Sequence, residues 1–462
     1  MTDTETAYQQ ALDYLYSFID YSLTRQFRYT PDKFNLDRMF TLLERLGNPH
    51  RAFGVVHVAG TKGKGSTAAM IASVLRAAGY RTGFYTSPHL QEYTERIQVN
   101  GVEIGRDEFV ALVEEIKPHA AAVEHITTFE LTTALGFLYF ARKRVDYAVV
   151  EVGLGGRLDA TNVVDPLVSV ITSLSYDHTA VLGNTLAEIA GEKAGIIKPG
   201  RAVILAPQKD EARLVVERIA RERGAPLTEV GRDLLFAPIS HSLDGQSLSI
   251  WSSAEQPLVD QYIETGGRAE WEPVHLNIPL LGLHQVENAA TAYCALMALR
   301  AAGVHLPDSA LRAGFANVNW RGRFEVLRRV PPVIVDSAHN RDSALKLRLA
   351  LDDYLPGVPV ILLFGASEDK DVHGMFTELL PRVKRLVATQ SIHPRAADAN
   401  ALVEMAHQFG CPAQAVLPLE AALRTALDLA GGSAAVVVAG SIFIAAAVQS
   451  AWKEIFPSQN AT

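Results

Sequence analysis

Residues 60–66, with the sequence GTKGKGS, constrain the fold of this chain more than any other segment. They follow an apolar run, 55–59, and precede a stretch, 67–79, that has the composition of a helix. Glycines let backbone N–H groups turn toward an anion, and the positive end of the following helix points at the same place. A lysine in such a loop reaches the outer phosphates of a nucleotide. The segment therefore predicts a strand, a phosphate-binding loop and a helix.

The loop departs from the usual phosphate-loop pattern at one position. Ser or Thr normally follows Gly-Lys directly, but here Gly65 stands between Lys64 and Ser66. The alternative interpretation is an ordinary glycine-rich turn that joins a strand to a helix. The flanking elements have the order that a phosphate site needs, so we favour the nucleotide site.

Length and charge limit the remaining choices. A chain of 462 residues is too long for one ordinary core, and we expect two or three domains. The net charge of −8 gives no support for a nucleic-acid partner. The apolar stretch 434–448 is short for a membrane span and is interrupted by Gly440 and Ser441, so we expect no membrane association. The distant Cys294 and Cys411 and the polar N-terminus favour a reduced, cytoplasmic protein.

The pattern along the chain predicts an α/β fold. Two helices are expected in residues 1–50, around a polar segment near 26–35. Strand-like and helix-like segments then alternate up to about residue 206, which indicates a parallel sheet covered by helices on both faces. Short segments between 231 and 281 predict a small antiparallel section.

A second α/β alternation follows, from about residue 333 to the C-terminus. We therefore predict a P-loop-type parallel-sheet N-terminal domain over 1–302, which includes the small antiparallel section. A linker at 303–307 would act as a hinge, and a smaller Rossmann-like α/β domain would cover 308–462.

Several polar residues follow apolar strands, where ligands of parallel sheets bind. Glu151 ends a strand in the same domain as the phosphate loop, which suits a magnesium ligand but also a surface carboxylate. Ser87 and His178 each follow a predicted strand and could likewise reach a metal, although His178 could also cap a turn.

Lys193 lies among small and apolar residues. Burial lowers the pKa of a lysine and makes its amine reactive, although such a side chain can also pack its stem and keep its head in water. In the second half, Arg323 could pair with phosphate and Asp336 could accept from a ribose hydroxyl.

Taken together, these motifs resemble the folylpolyglutamate synthase/dihydrofolate synthase family of the Mur ligase superfamily over nearly the whole chain. The motifs that carry the resemblance are GTKGKGS at 60–66, TSPHL at 86–90, ERI at 95–97, EVGLGGRLDATN at 151–162, DH at 177–178, GEKAGI at 191–196, GLHQVEN at 282–288, GRFE at 322–325 and DSAHN at 336–340. Gly65 before Ser66 matches this family, whereas the cell-wall Mur ligases usually have Gly-Lys-Thr. Two departures are modest: Lys62 replaces the Asn of many members, and Ala439 stands where Thr is common.

The resemblance implies roles for matching residues. The implied ATP contacts are Thr61, Lys62, Gly63, Lys64, Gly65, Ser66, Asn288, Arg323 and Asp336. Two Mg²⁺ ions are implied, one held by Ser87 and Glu151 and the other by His178. Catalytic roles are implied for Lys64, for Lys193 as a carbamate formed with CO₂, and for His339 near the glutamate or the phosphates. The segments that match the pterin pocket of bifunctional members contain Thr127, Thr128, Phe129, Glu130, Leu158, Asp159 and Ala160.

The implied reaction is the ATP-dependent addition of L-glutamate to a folate or dihydropteroate carboxylate through an acyl phosphate. ATP, glutamate and the pterin acceptor are the expected partners, and we expect a monomer. One alternative is another Mur-type ligase with a nucleotide-linked acceptor, although the short N-terminal helical region leaves no separate domain for it. Another is a P-loop ATPase module, which would have no use for Lys193.

Overall fold

The structure, a computed structural model, describes residues 3–19, 35–268 and 271–457. The polar segment expected near 26–35 lies outside these ranges except for Asn35. The chain divides into two compact units. The first comprises residues up to 237, 248–277 and 286–318, and the second comprises 238–247, 278–285 and the residues from 319 onward.

The main sheet of the first unit has the strand order β4-β3-β2-β5-β1-β6-β7-β8. Its strands are β1 (Gly54–Ala59), β2 (Thr82–Tyr85), β3 (Ile97–Val99), β4 (Val102–Glu103), β5 (Tyr147–Glu151), β6 (Val168–Ile171), β7 (Ala202–Leu205) and β8 (Leu227–Glu229). All neighbours from β2 to β8 pair in parallel, while β3 and β4 form an antiparallel edge. Nearly every residue of β1, β5 and β6 is buried, so both faces of the sheet are covered, as predicted.

Helices connect these strands and follow them. They are α1 (Asp3–Tyr16), α2 (Leu36–Arg45), α3 (Lys64–Ala77), α4 (Arg106–Ala120), α5 (Thr128–Arg142), α6 (Thr179–Leu182), α7 (Leu186–Lys193), α8 (Asp210–Glu222), α9 (Gln256–Glu264), α10 (Leu283–Ala301) and α11 (Asp308–Ala316). Helix α5 is apolar on all sides and forms the centre of a core with α1, α2 and α4. It begins at a capping box, in which Thr127 and Glu130 each accept a hydrogen bond from the other's backbone N–H.

A three-stranded sheet occupies the region where short antiparallel strands were predicted. Its strands are β9 (Leu234–Ser242), β10 (Gly245–Ser252) and β11 (Val274–Ile278), in the order β11-β10-β9. Because only two residues join β9 to β10, these neighbours must run antiparallel.

The second unit is built on a six-stranded sheet with the order β12-β13-β17-β14-β15-β16. Its strands are β12 (Glu325–Arg329), β13 (Pro332–Val335), β14 (Val360–Phe364), β15 (Val383–Ala388), β16 (Ala413–Ala415) and β17 (Ala435–Ala439). Its helices are α12 (Arg341–Tyr354), α13 (Val372–Leu379), α14 (Ala399–Gln408), α15 (Leu419–Ala430) and α16 (Ile442–Ile455). Only β12 pairs antiparallel, so the predicted second α/β sheet is present. The apolar stretch at 434–448 is β17 followed by α16, as the sequence indicated.

The division between the units differs from the predicted linker at 303–307. That segment and helix α11 belong to the first unit, which continues to residue 318. The physical reason is close packing of α11 on α3, where Gly314 lies against the backbone of Val74. Arg300 also pairs with Asp308 across the segment, at 2.7 Å. The long continuous part of the second unit therefore begins near residue 319 and not at 308.

The contact between α11 and α3 can be tested with Gly314→Ala. A Cβ at this position would overlap the Val74 backbone, with the Val74 nitrogen only 2.7 Å away, so the helices must move apart. We expect a loss of about 1–3 kcal/mol in the stability of the first unit, measured by urea unfolding. Gly191→Ala in α7 is the matched control because no atom lies within 4 Å of its added Cβ. It should be neutral or stabilising, and equal effects of the two substitutions would contradict the packing.

Candidate active site

The phosphate loop lies between β1 and α3, as predicted. Gly63 has a φ of 86° and precedes Lys64, the first residue of α3. A side chain at Gly63 would be strained, and its Cβ would overlap the amide oxygen of Asn288 from α10. Asn288 is buried, so the structure places this predicted ATP ligand directly against the loop. The first-turn N–H groups of α3 supply the donors that an anion needs.

Two loop residues are hydrogen-bonded to the segment that follows the neighbouring strand, β6. The backbone N–H groups of Thr61 and Lys62 both donate to the carbonyl of Ser173, at 3.0 Å each. The Thr61 hydroxyl donates to the carbonyl of Ser175, at 3.2 Å. The ammonium group of Lys62 pairs with Asp177 at 2.9 Å, and both side chains are largely buried. The loop is thus attached to the segment that follows β6.

Glu151 and Ser87 come together at the same edge of the sheet. They follow β5 and β2, which are parallel neighbours. The Thr86 hydroxyl donates to Glu151, and the Ser87 N–H lies 3.4 Å from the same carboxylate oxygen. Glu151 is buried, which rules out the alternative interpretation that it is a surface carboxylate. Thr86 was missed by sequence reasoning, although its position directly before Ser87 was the available signal.

His178 lies on the loop after β6, next to Asp177. Its backbone is left-handed, with a φ of 49°, and its ring is about half exposed. The ring Nε2 lies 3.8 Å from Asp177. Across residues 3–19, 35–268 and 271–457, no three His, Cys, Asp or Glu side chains form a group that could hold a metal. The predicted pair Ser87 and Glu151 is therefore assembled, whereas His178 keeps its role as a prediction.

Lys193 is buried below the phosphate loop, at the C-terminal end of α7. Its ammonium group donates to the carbonyl of Gly60 at 2.8 Å. Burial lowers its pKa to about 7, and the nearby charge of Lys64 acts in the same direction. Of the two sequence interpretations, the structure selects the buried amine and not the exposed one. A large fraction of a lysine with this pKa is a neutral nucleophile at physiological pH.

The glycine-rich segment after β5 passes over the end of α7. A Cβ on Gly156 would lie 2.9 Å from the carbonyl oxygens of both Glu192 and Lys193, so only glycine allows this approach. Arg157 then pairs with Glu192 at 2.8 Å. This packing fixes the segment that contains Leu158, Asp159 and Ala160 beside Lys193.

Of the two segments predicted to line a pterin pocket, the one with Phe129 packs on the glycine-rich stretch that leads to the other, residues 158–160. The ring of Phe129 lies directly against Gly153, where a Cβ would overlap it. The Thr128 hydroxyl holds α5 against the end of α1, since it donates to the carbonyl of Leu15 at 2.8 Å. Glu130 accepts from the Thr127 N–H at 2.8 Å and pairs with Arg38 of α2 at 3.1 Å. Arg38 was missed because nothing in the sequence links α2 to this cap.

The remaining predicted residues lie in the second unit. Asp336 follows β13 and accepts from the N–H groups of Phe324 and Ala338, at 2.7 and 2.8 Å. Burial raises the pKa of Asp336, while the charge of Arg323 lowers it. The His339 Nδ1 lies 2.9 Å from the carbonyl of Ser337, which requires a proton on Nδ1. In the neutral ring, Nε2 is then the acceptor nitrogen.

Helices long and apolar enough to cross a membrane are absent from the part of the chain that the structure describes.

Two family models match this architecture. The Mur ligase middle domain matches residues 58–296, and the glutamate ligase domain of Mur ligases matches residues 322–442. Together with the phosphate loop, these matches define the chain as a Mur ligase.

Relatives narrow the class. The chain is 36% identical over 406 residues to the dihydrofolate synthase/folylpolyglutamate synthase of Bacillus subtilis, covering 86% of this chain and 89% of the relative. It is 35% identical over 369 residues to the enzyme of the same name from Escherichia coli, covering 80% of each. The chain therefore belongs to the folylpolyglutamate synthase/dihydrofolate synthase family, which confirms the resemblance found in the sequence.

Solved structures agree in fold. Mycobacterium tuberculosis folylpolyglutamate synthase complexed with ADP has a TM-score of 0.83 at 32% identity, and the match covers 97% of this chain and 98% of the other. E. coli FolC in complex with DHPP and ADP also has a TM-score of 0.83, at 30% identity, with 98% and 100% covered. The predicted α/β fold with a large first sheet and a smaller second one is thus confirmed.

Lys193→Met tests the lowered pKa of Lys193. Between a folded pKa of about 7 and an ordinary value of 10.5, the unfolded chain binds more protons at this residue, so wild-type stability increases with pH there. The cost of burying the charge is fully present below this window. We expect the unfolding free energy of the wild type, relative to Lys193→Met, to rise from pH 7 to 10.5 in CO₂-depleted buffer. A constant difference across the window would contradict the lowered pKa.

Proposed function

We propose that this chain is an ATP-dependent ligase that adds L-glutamate to the carboxylate of a folate or of dihydropteroate. The observation that carries the proposal is the buried amine of Lys193 below a phosphate loop, 2.8 Å from the carbonyl of Gly60. Phosphate binding alone needs no such lysine. A ligase that must stabilise a transferring phosphoryl group and a metal does have a use for it.

The chemistry proceeds in two steps. An acceptor carboxylate oxygen attacks the γ-phosphorus of ATP, and ADP leaves, which gives an acyl phosphate. The α-amino group of glutamate then attacks the acyl carbon, phosphate leaves, and the nitrogen loses a proton to give the amide. Lys64 and the α3 N-terminus stabilise the charge on the phosphates. Positioning and charge stabilisation supply most of the catalysis.

The residues at the sheet edge fit one Mg²⁺ ion. Mg²⁺ is commonly held by one or two carboxylates together with substrate phosphates, and the buried Glu151 beside Ser87 provides this donor set. When bound, Mg²⁺ neutralises charge on the phosphates. For the second ion, His178 is the proposed ligand; Asp177 lies 3.8 Å from its ring, but the described residues contain no group of three His, Cys, Asp or Glu side chains there.

We propose that a carbamate on Lys193 supplies the missing anion. The ammonium group first loses one proton, and the neutral amine then adds to the carbon of CO₂ and releases a second proton, which leaves a carboxylate-like anion. The lowered pKa of about 7 makes the neutral amine available for this reaction. Lys64 and Lys62 are nearby cations that would attract this anion, while Asp177 and Asp159 are nearby carboxyls that would repel it.

The acceptor pocket is proposed for the segments around Phe129 and Asp159. Phe129 contacts Gly153, and the N–H of the next residue, Leu154, donates to Asp159 at 2.9 Å, which links the two segments. An aromatic ring suits a flat heterocycle. The Bacillus subtilis and Escherichia coli relatives are each named as both a dihydrofolate synthase and a folylpolyglutamate synthase, so we propose activity toward dihydropteroate and tetrahydrofolate. Arg323 and Asp336 are proposed ATP contacts, and His339 is proposed to contact glutamate or the phosphates. A monomeric state and a cytoplasmic location stay predictions.

Glutamate incorporation tests the proposed function. The purified protein is incubated with ATP, Mg²⁺ and labelled glutamate, and with dihydropteroate or tetrahydrofolate in parallel reactions. We expect label in the pterin product and one ADP per glutamate incorporated. Incorporation into a nucleotide-linked muramyl acceptor would favour another Mur-type ligase. ATP hydrolysis without glutamate incorporation would favour an ATPase module.

The carbamate is tested by depleting CO₂. We expect wild-type turnover to fall in CO₂-depleted buffer and to return when bicarbonate is added. Lys193→Ala should lose about 100-fold or more in kcat and should not respond to bicarbonate. Lys198→Ala is the control, because Lys198 also has a lowered pKa but donates to the carbonyl of Asn162, away from the loop. Bicarbonate-independent turnover of the wild type would rule the carbamate out.

A further inference from the structure

A buried chain of hydrogen bonds connects the strand before the phosphate loop to the proposed acceptor pocket. The His57 Nε2 in β1 lies 2.8 Å from the Thr161 hydroxyl. The Thr161 hydroxyl in turn donates to Asp159. All three side chains are at most 5% exposed. We call this chain of His57, Thr161 and Asp159 the histidine relay.

The direction of each bond follows from counting protons. The Thr161 hydroxyl has one proton, which it donates to the Asp159 carboxylate. Its oxygen must therefore accept from His57, which requires the proton of the neutral imidazole to be on Nε2. Burial lowers the His57 pKa to about 3, with the charge of Lys198 acting in the same direction, so the ring stays neutral.

The hydrogen bond from His57 to Thr161 partly offsets the cost of burying the imidazole ring. His57 stands between Val56 and Val58 in the centre of the sheet, and its Nδ1 contacts no hydrogen-bond donor among the described protein residues. Burying an imidazole in this way is unfavourable compared with an aliphatic side chain. The bond to Thr161 is the one hydrogen bond of this ring among the described residues.

Asp159 gathers donors from both sides of the glycine-rich segment. It accepts from the Leu154 N–H at 2.9 Å and from the Thr161 N–H at 3.0 Å, in addition to the Thr161 hydroxyl. These bonds close residues 154–161 into a fixed turn. The orientation of the Asp159 carboxylate therefore sets the shape of the glycine-rich segment. This segment contacts Phe129 at Gly153.

We propose that His57 and Thr161 are positioning residues for acceptor binding, which act through Asp159 on the segment 153–160. The identity of the acceptor rests on the proposed function, but the proton arrangement does not. Because His57 lies in the strand that leads into the phosphate loop, the relay also fixes the acceptor segment relative to that loop.

Thr161→Val tests the relay, since it keeps the shape of the side chain and removes the hydroxyl. We expect the KM for the pterin acceptor to increase about tenfold, which corresponds to one charge-assisted hydrogen bond, with the KM for ATP unchanged. Thr161→Ser restores the hydroxyl and should return the acceptor KM to within about twofold of the wild type.

Ser169→Ala is the matched control. Ser169 is the register partner of His57 on β6, is fully buried, and donates to the carbonyl of Ile196 at 3.1 Å. Its loss removes a buried hydroxyl without affecting the relay, so melting temperature can fall while the ratio of the two KM values stays at the wild-type value. An equal change in that ratio in Thr161→Val and Ser169→Ala would overturn the proposal.

The tautomer of His57 tests the histidine relay in the absence of substrate. In ¹⁵N-labelled protein, with the signals assigned by their loss in His57→Gln, we expect a protonated Nε2 and a bare Nδ1 at pH 6. A protonated Nδ1 or a charged ring would overturn the proposal. If the wild type incorporates no glutamate, the proposed function fails, while this measurement still decides the arrangement of the three residues.

Discussion

The parallel alignment of β2, β5, β1 and β6 is the constraint on which the site depends. Parallel strands end at one edge of a sheet, so residues that are distant in sequence meet there. Ser87 after β2, Glu151 at the end of β5, Gly60 after β1 and Ser173 after β6 all occupy this edge. Lys193 reaches the same place from α7 and bonds the Gly60 carbonyl. The strand order therefore explains why the phosphate loop, the proposed metal ligands and the buried amine lie close together.

The sequence predicted the parts of this arrangement that are local. A glycine-rich loop between an apolar strand and a helix has few structural solutions, and β1 and α3 lie within a few residues of their predicted positions. Strand-end placement identified Glu151 and Ser87 because the alternation of strands and helices implies a parallel sheet. The burial of Lys193 was anticipated as one of two interpretations, since its neighbours are small and apolar.

Contacts between residues that are distant in the chain could not be predicted from the sequence. Nothing local indicates that α11 packs on α3, so the boundary was placed at 303–307, whereas the first unit extends to residue 318. Arg38 and Glu130 are 92 residues apart, and their pairing depends on how α2 meets the start of α5. His57 was read only as part of an apolar run, because its partner Thr161 comes from a different connection. In each case the missing information was which surfaces the fold brings together.

The pairing of Lys62 with Asp177 has a consequence for how a polyanion is received. An ammonium group in water carries a tightly held hydration shell, and removing that shell is costly. Here most of that dehydration is completed during folding, because the Lys62 side chain is only 14% exposed and a carboxylate takes the place of water. If Lys62 contacts a phosphate, as proposed, the phosphate would displace the carboxylate of Asp177 and not a full shell of water.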